Sequence, residues 1–243
     1  MINRPITIIL ALGLILIMPV AAWGGQNLLI KGIEAQKAGK NEVAVKLLGE
    51  YLKRYPQMQE ARRYLALALA DLGRKAEALH QLNMALAESP QDIQLLLAKA
   101  KVLAGLERRP EAIATFTQVI KVDPHNPEAY KERGDNRVQE GDFDAALQDL
   151  NRAALLAPKD PWVFNKRGMA YFCQGDYQAA VADFSTAIGL RPDLPHAYFF
   201  RANIYRHHLR DLEQAVNDYE QACKLGFPLA CRELEKLGIK PPK

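Results

Sequence analysis

The stretches "GDFDAALQDLNRAALLAP" (Gly141–Pro158) and "GDYQAAVADFSTAIGLRP" (Gly175–Pro192) share one layout and lie 34 residues apart. The same interval separates five prolines, Pro56, Pro90, Pro124, Pro158 and Pro192, and five alanines, Ala44, Ala78, Ala112, Ala146 and Ala180. Glycines keep this step at Gly39, Gly73, Gly141 and Gly175, while Glu107 takes the remaining place. Internal repetition at this period is typical of stacked supersecondary units.

The residues of one repeat predict two short helices. Pro127 suits the first turn of a helix, where its missing N–H costs little. Gly141 accepts the left-handed conformation that ends a helix, and the carboxylate of Asp142 can cap the next one. Gly134 and Ala146 are small, and we expect the two helices to cross closely at these residues. The repeat is therefore predicted to be a helical hairpin.

The pattern resembles the tetratricopeptide repeat, and the match is nearly complete at Phe164, Gly168, Tyr171, Ala180, Phe184, Ala187 and Pro192. Arg62, Arg137 and Tyr51 depart from it. The resemblance implies an all-α fold, a right-handed superhelical stack of about six hairpins with a C-terminal capping helix. Its units span about 25–58, 59–92, 93–126, 127–160, 161–194 and 195–228.

The chain after the repeats, residues 229–243, reads as a short amphipathic helix and a polar tail. Leu229, Leu234 and Leu237 suit a helix that covers the open end of the stack. Repeat arrays need such a cap to stay soluble.

The first 22 residues differ in character from the repeats. One cation, Arg4, precedes an apolar run from Ile6 to Ala22, and small residues close it. This layout favours a cleaved secretory signal, with an uncleaved membrane anchor or a buried helix as alternatives. Gly24–Gln26 is then the joint to the repeats. Both export readings predict a location in the bacterial periplasm, free or anchored in the inner membrane.

Arginine and aspartate recur in register in the last three repeats. The arginines are Arg133, Arg167 and Arg201 on first helices, and the aspartates are Asp149, Asp183 and Asp218 on second helices. We expect structural ion pairs between packed helices, because a guanidinium binds a carboxylate with two hydrogen bonds. Ligand binding by these arginines is the alternative.

Three cysteines occur in the chain, at Cys173, Cys223 and Cys231. The last two flank a turn at Gly226 and Pro228, and their spacing is similar to the helix-pair disulfide of Sel1-like repeats. We expect a disulfide that pins the capping helix, worth roughly 2–3 kcal/mol in the chain-entropy model. Two small buried thiols are the alternative. Cys173 is a packing residue or a thiol that faces the groove.

Composition and motifs give no indication of catalysis. The net charge of +4 is small, and neither a basic stripe nor a nucleic-acid-binding motif occurs. Catalytic signatures are lacking, and the adjacent His207 and His208 make a poor metal pair. We therefore expect no enzyme activity, no cofactor, no metal and no nucleic-acid partner.

A binding role remains, because stacked helix pairs leave a concave groove lined by first helices. The resemblance implies that the partner-binding residues include Lys131, Asp135, Trp162, Asn165, Met169, Phe172, His196, Phe199, Asn203 and Arg206. Packing against the adjoining repeat is the alternative for Trp162 and Phe172.

The sequence thus favours a scaffold that binds a protein or peptide in the groove and assembles an envelope complex. Alternatives are a structural module that associates with copies of itself, and an accessory subunit of an envelope enzyme. A membrane is contacted only through the N-terminal segment, if that segment is retained.

Overall fold

A computed structural model describes residues 20–242 of the chain, and the side chains of residues 26–242. Thirteen α-helices and no β-strand occur in this range. The segment expected to direct export, residues 1–22, lies almost entirely outside the described residues. None of the described helices is both long and apolar enough to traverse a lipid bilayer. The chain forms two compact units, unit 1 up to Glu107 and unit 2 from Arg108.

Unit 1 contains five helices, α1 (Val20–Lys37), α2 (Asn41–Arg54), α3 (Gln59–Asp71), α4 (Lys75–Glu88) and α5 (Ile93–Gly105). α1 packs on α2 and α3 packs on α4, while α1 and α5 each contact α3. First helices therefore form one layer and second helices the other. The alanines and leucines at repeating positions fill the space between the layers, with Ala44, Leu48, Ala78 and Leu82 fully buried.

Gly24–Gln26, expected to be the joint after the export segment, are helical. They lie within α1, which spans Val20–Lys37 in the described part of the chain. Glycine weakens a helix only modestly, by about 1 kcal/mol per residue relative to alanine, so neighbouring helix-forming residues can carry the helix through such a pair.

Unit 2 contains α6 (Arg109–Val122), α7 (Pro127–Glu140), α8 (Phe143–Leu156), α9 (Pro161–Gln174), α10 (Tyr177–Leu190), α11 (Pro195–Ile204), α12 (Leu212–Lys224) and α13 (Pro228–Lys236). Three hairpins, α7–α8, α9–α10 and α11–α12, follow one another, and α13 packs on α12. α7 contacts α9, and α9 contacts α11.

The predicted hairpin limits are confirmed in the fourth repeat. α7 begins at Pro127, and Gly141 ends it with φ at +82°. The Gly141 and Asp142 amides donate to the carbonyls of Val138 and Arg137, which satisfies the last helical acceptors. The Asp142 carboxylate accepts from the amide of Ala145 and starts α8.

Close helix crossing explains the small residue in the middle of α7. A Cβ atom added to Gly134 would lie 2.7 Å from Leu150 Cγ and 3.2 Å from the Ala146 carbonyl oxygen. Both contacts are shorter than ordinary van der Waals separations. The two helices can therefore approach this closely only because Gly134 has no side chain.

The extra residue of the sixth repeat is absorbed by a π-helical turn, Tyr205–Leu209, directly after α11. The Asp211 amide donates to the Tyr205 carbonyl, and Arg210 has φ at +56°. A single inserted residue in a helix is commonly accommodated in this way. α12 consequently keeps the register of the other second helices, and its Ala215 is fully buried.

Candidate partner-binding face

α7, α9 and α11 contact one another in sequence and form one layer of unit 2. We call the side of this layer that faces away from α8, α10 and α12 the first-helix face. All ten residues expected to line the groove lie on these three helices or on the π-helical turn that continues α11.

Behind this face, each repeated arginine holds the aspartate of its own hairpin. Arg133 donates to both Asp149 oxygens at 2.8 and 2.6 Å, Arg167 to Asp183 at 2.7 Å twice, and Arg201 to Asp218 at 2.7 and 2.8 Å. The three aspartates are no more than 5% exposed. The expected pairs are thus formed inside the hairpins, where they serve packing.

Each of these arginines also has a partner on the preceding second helix. The Nη1 atoms of Arg133, Arg167 and Arg201 donate to Thr117, Asn151 and Ser185 at 2.9, 2.9 and 2.7 Å. We call each such group of arginine, aspartate and polar acceptor a rung. A rung joins three helices, so it connects one hairpin to the next.

Charged residues of the first-helix face pair with one another across neighbouring helices. Lys131 Nζ lies 2.9 Å from Asp160 Oδ2, at the start of α9, and Lys166 Nζ lies 2.6 Å from Asp135 Oδ2 on α7. Arg206 Nη1 lies 2.5 Å from Glu233 Oε2 on α13. Lys131, Asp135 and Arg206 therefore contribute to helix–helix contacts as the structure stands.

Aromatic residues fill the contact between α9 and α11. The Phe172 ring lies 6.2 Å from that of Phe200 and 6.1 Å from that of His208, between centroids. Phe172 thus packs against the adjoining repeat, which was one of the two alternatives for it. Met169 instead packs against the buried cluster of α7 and α8, around Val138 and Leu150.

Trp162 is the large apolar residue of this set that stays accessible. It lies in the first turn of α9 with 40% of its surface exposed. The guanidinium carbon of Arg191 lies 5.7 Å from its ring centroid, within the range of a cation–π contact. The Trp162 ring is thus held by Arg191 on one face and remains partly exposed to solvent.

The two asparagines of the set differ in their hydrogen bonding. Asn203 Oδ1 accepts from the hydroxyl of Tyr219 at 2.6 Å. Asn165 Oδ1 is buried and has no hydrogen-bond partner among the described residues. His196 lies at the start of α11, and its ring contacts that of Phe227, with the centroids 4.7 Å apart.

Sequence models of the tetratricopeptide repeat match most of the chain. One matches residues 31–93 and 97–161, and two others match 139–204 and 195–225. The chain belongs to the tetratricopeptide-repeat family. Proteins of this family are generally non-enzymatic scaffolds, and the fold supports a role of this chain in protein–protein interaction.

Among curated relatives, FlbA of Caulobacter vibrioides is 31% identical over 112 residues, which are 46% of this chain and 19% of FlbA. The chain therefore spans only a small part of that protein. No family match extends to the Sel1-like repeat expected from the cysteine spacing.

Solved structures share the repeat fold at low identity. The tetratricopeptide protein TTC0263 of Thermus thermophilus has a TM-score of 0.62 and 22% identity, covering 74% of this chain and 97% of its own. A MamA structure from Desulfovibrio magneticus RS-1 has a TM-score of 0.62 and 20% identity, covering 69% and 94%. At this identity the likeness concerns the fold alone.

The last tetratricopeptide repeat is linked to the cap by a disulfide between Cys223 of α12 and Cys231 of α13. Their Cα atoms are 5.0 Å apart, within the range that the bond requires. Cys173 is a free, exposed thiol on α9. Partial burial raises the pKa of this thiol above its ordinary value of 9.0, so it is protonated near neutral pH.

The repeats bring no metal ligands together within residues 26–242, where no group of three or more His, Cys, Asp or Glu side chains could hold an ion. His207 is exposed in the π-helical turn. His208 stacks on Tyr177 with ring centroids 3.6 Å apart, so its ring packs within the unit.

Proposed function

We propose that the protein is a non-enzymatic scaffold that binds a segment of a partner protein across the first-helix face of unit 2. The observation that carries this proposal is the exposed ring of Trp162 on α9, one face of which is in cation–π contact with Arg191. Ion pairs instead join α9 to α7 and join the turn after α11 to α13. The α9–α11 region is thus the apolar part of the face.

The partner segment that suits this region carries an apolar or aromatic side chain. Tryptophan is enriched among residues that dominate binding energy, because it buries a large rigid surface at small entropic cost. Arg191 supports one side of the Trp162 ring. An apolar partner side chain can pack against the accessible part of the ring.

We further propose that the protein acts in the cell envelope of a bacterium, exported or anchored by residues 1–22. Two features support this location, the apolar composition of that segment and the disulfide, since disulfides persist in oxidising compartments. Cell fractionation of the full chain tests it. Recovery in the cytoplasm with three free thiols would contradict the location.

A displayed peptide library, selected against the oxidised full chain, tests the binding role. Selected peptides are expected to lose affinity at least about ten-fold on Trp162→Ala, because a truncated anchor typically costs more than 1 kcal/mol. The matched control is Leu155→Ala on α8, which removes a 75% exposed apolar residue from a second helix. Equal affinity for both variants and the unmodified chain would refute binding at Trp162.

A further inference from the structure

The disulfide loop between α12 and α13 places a side chain directly on the first-helix face. Phe227 lies inside this loop, and its ring centroid is 4.7 Å from that of His196 and 4.9 Å from that of Phe199. His196 and Phe199 are residues of α11 expected to bind a partner. The loop therefore covers part of the surface to which function is assigned.

α13 covers a third residue of the same set. Glu233 of α13 lies 2.5 Å from Arg206, and each of these side chains is about one-fifth exposed. α13 is held in place by this ion pair, by the buried Ala230 and Leu234, and by the disulfide. The helix has nine residues, and an isolated helix of this length is not stable in water. Its position therefore depends on these few contacts.

We propose that the Cys223–Cys231 disulfide is a redox-controlled latch for the first-helix face. In the oxidised protein, Phe227 packs on Phe199 and contacts one side of the exposed His196, and Glu233 pairs with Arg206. Reduction of the disulfide releases α13, so that this end of the face becomes open to the partner segment. The inference rests on the proposed function and adds its regulation.

The reducing step is an exchange with an external dithiol. Cys231 is half-buried while Cys223 is 9% exposed, so the attacking thiolate reaches Sγ of Cys231. A bond forms between these two sulfurs, the Cys223–Cys231 bond breaks, and Cys223 leaves as a thiolate that takes up a proton. The second thiol of the reductant then attacks the mixed disulfide and frees Cys231. The protein gains two electrons and two protons, and the reductant becomes a disulfide.

The turn before α13 allows the latch to close again. Gly226 has φ at +82°, and the amides of Gly226 and Phe227 donate to the carbonyls of Cys223 and Ala222. These backbone bonds do not involve the disulfide and remain after reduction. Cys223 and Cys231 consequently remain joined by a short, ordered turn, and the bond can form again when α13 returns to its place under oxidising conditions.

Hydrogen exchange of the full chain, with and without dithiothreitol, tests the latch. A thiol count first verifies the states, with one free thiol per chain when oxidised and three when reduced. Amides of 229–236 are expected to exchange at least about ten-fold faster after reduction, while those of α7–α10 keep their rates. Unchanged exchange in α13, or a thiol count that stays at one in native buffer, would overturn the proposal.

Three variants separate the disulfide from other effects. Cys223→Ser with Cys231→Ser should show the faster exchange without reductant, whereas Cys173→Ser should respond to dithiothreitol like the unmodified chain. Binding of the dye 1-anilinonaphthalene-8-sulfonate should rise several-fold on reduction, and Phe199→Ala should remove most of that rise. A rise that Phe199→Ala leaves intact would place the newly exposed surface elsewhere and count against the proposal.

The peptides selected in the binding test separate the two hypotheses. Binding at Trp162 that is equally tight in both redox states would leave the proposed function standing and refute the latch. Faster exchange of α13 without any peptide binding in either state would refute the proposed function, while the release of α13 on reduction would stand.

Discussion

The buried aspartates Asp149, Asp183 and Asp218 need a fixed positive partner, because an unpaired buried carboxylate costs several kcal/mol. The sequence register was enough to predict the arginine partners. It did not reveal Thr117, Asn151 and Ser185, although these also lie 34 residues apart. The three positions hold three different residue types whose common role is to accept a hydrogen bond from arginine, so a search for repeated identities misses them.

The stability lost when the arginine of a rung is replaced should depend on whether its aspartate has a second cationic partner. Asp149 keeps a second partner, since Arg137 Nη1 lies 2.8 Å from its Oδ2, whereas no other cation is found beside Asp183 among the described ion pairs. Arg167→Met should therefore lower the free energy of unfolding by about 3 kcal/mol, and Arg133→Met by clearly less. Chemical denaturation measures both.

The double variant Arg167→Met with Asp183→Leu is the control for this comparison. Removing both charges leaves no unpaired carboxylate, so the double variant should be more stable than Arg167→Met alone. Equal losses for Arg133→Met and Arg167→Met would contradict the role given to Arg137.

Gly134 should tolerate no branched side chain. Gly134→Val would drive its side chain into Leu150 and the Ala146 carbonyl, so we expect a loss of about 2 kcal/mol in thermal or chemical unfolding. On α10, Gly189 has open space around it. Gly189→Ala should instead gain up to about 1 kcal/mol from helix propensity. A stabilised Gly134→Val variant would contradict the close crossing.

At the scale of single elements, helix ends were largely predictable and insertions were not. Proline, glycine and aspartate mark the limits of α7 and α8 by their backbone and capping preferences, and the structure confirms these limits. The sequence showed that the sixth repeat has one extra residue. It did not show that a π-helical turn would absorb this residue, because a longer loop between the helices would preserve the same register.

Glu107 occupies the place of the repeated glycines and takes their conformation, with φ at +59°. A side chain in this region is strained by about 1–2 kcal/mol. Glu107→Gly should therefore raise the free energy of unfolding by about 1 kcal/mol. Glu107→Ala retains the Cβ atom and should give no such gain in the same denaturation experiment.

Acid should loosen the contact between α13 and the turn after α11. Hydrogen bonds from Lys236 and Arg206 lower the pKa of Glu233 below its ordinary value of 4.5. Its contribution to stability is therefore complete above about pH 4.5 and is lost as the pH falls through the lowered value. Exchange of α13 amides should accelerate below this pH, and Glu233→Gln should remove most of the dependence. A Glu233→Gln variant with an unchanged acid profile would contradict this assignment.

At the scale of the whole molecule, the sequence predicted the repeat family and its helical hairpins but not how the first-helix face is occupied. The resemblance pointed to ten partner-binding residues, of which Lys131, Asp135 and Arg206 form ion pairs with neighbouring helices. These pairs occur at single points of the stack and do not recur with the repeat. Periodicity therefore could not reveal them, and only the packing of adjacent helices does.

Removal of the C-terminal cap should destabilise the array and promote self-association. A chain ending at Gly226, with Cys223→Ser to prevent new disulfides, exposes Tyr219, Ala202 and Ala215 of the last buried cluster. We expect a fall in Tm of about 10 °C, which corresponds to roughly 3 kcal/mol, and a higher mass in sedimentation. The full chain with Cys223→Ser is the control. A monomeric truncated chain with the same Tm would show that α13 does not cap the stack.

The rungs also bear on how an array of this kind can change its length. Asn151, Arg167 and Asp183 meet in the same geometry as Thr117, Arg133 and Asp149, one hairpin earlier. In a duplicated hairpin inserted between these two, the arginine would donate to the polar acceptor on the preceding second helix. The second helix of the inserted hairpin would in turn supply the acceptor for the arginine of the next hairpin. Gene duplication could thus lengthen the array by whole hairpins without leaving a buried charge unpaired, until α13 ends it with Leu234 in place of an arginine.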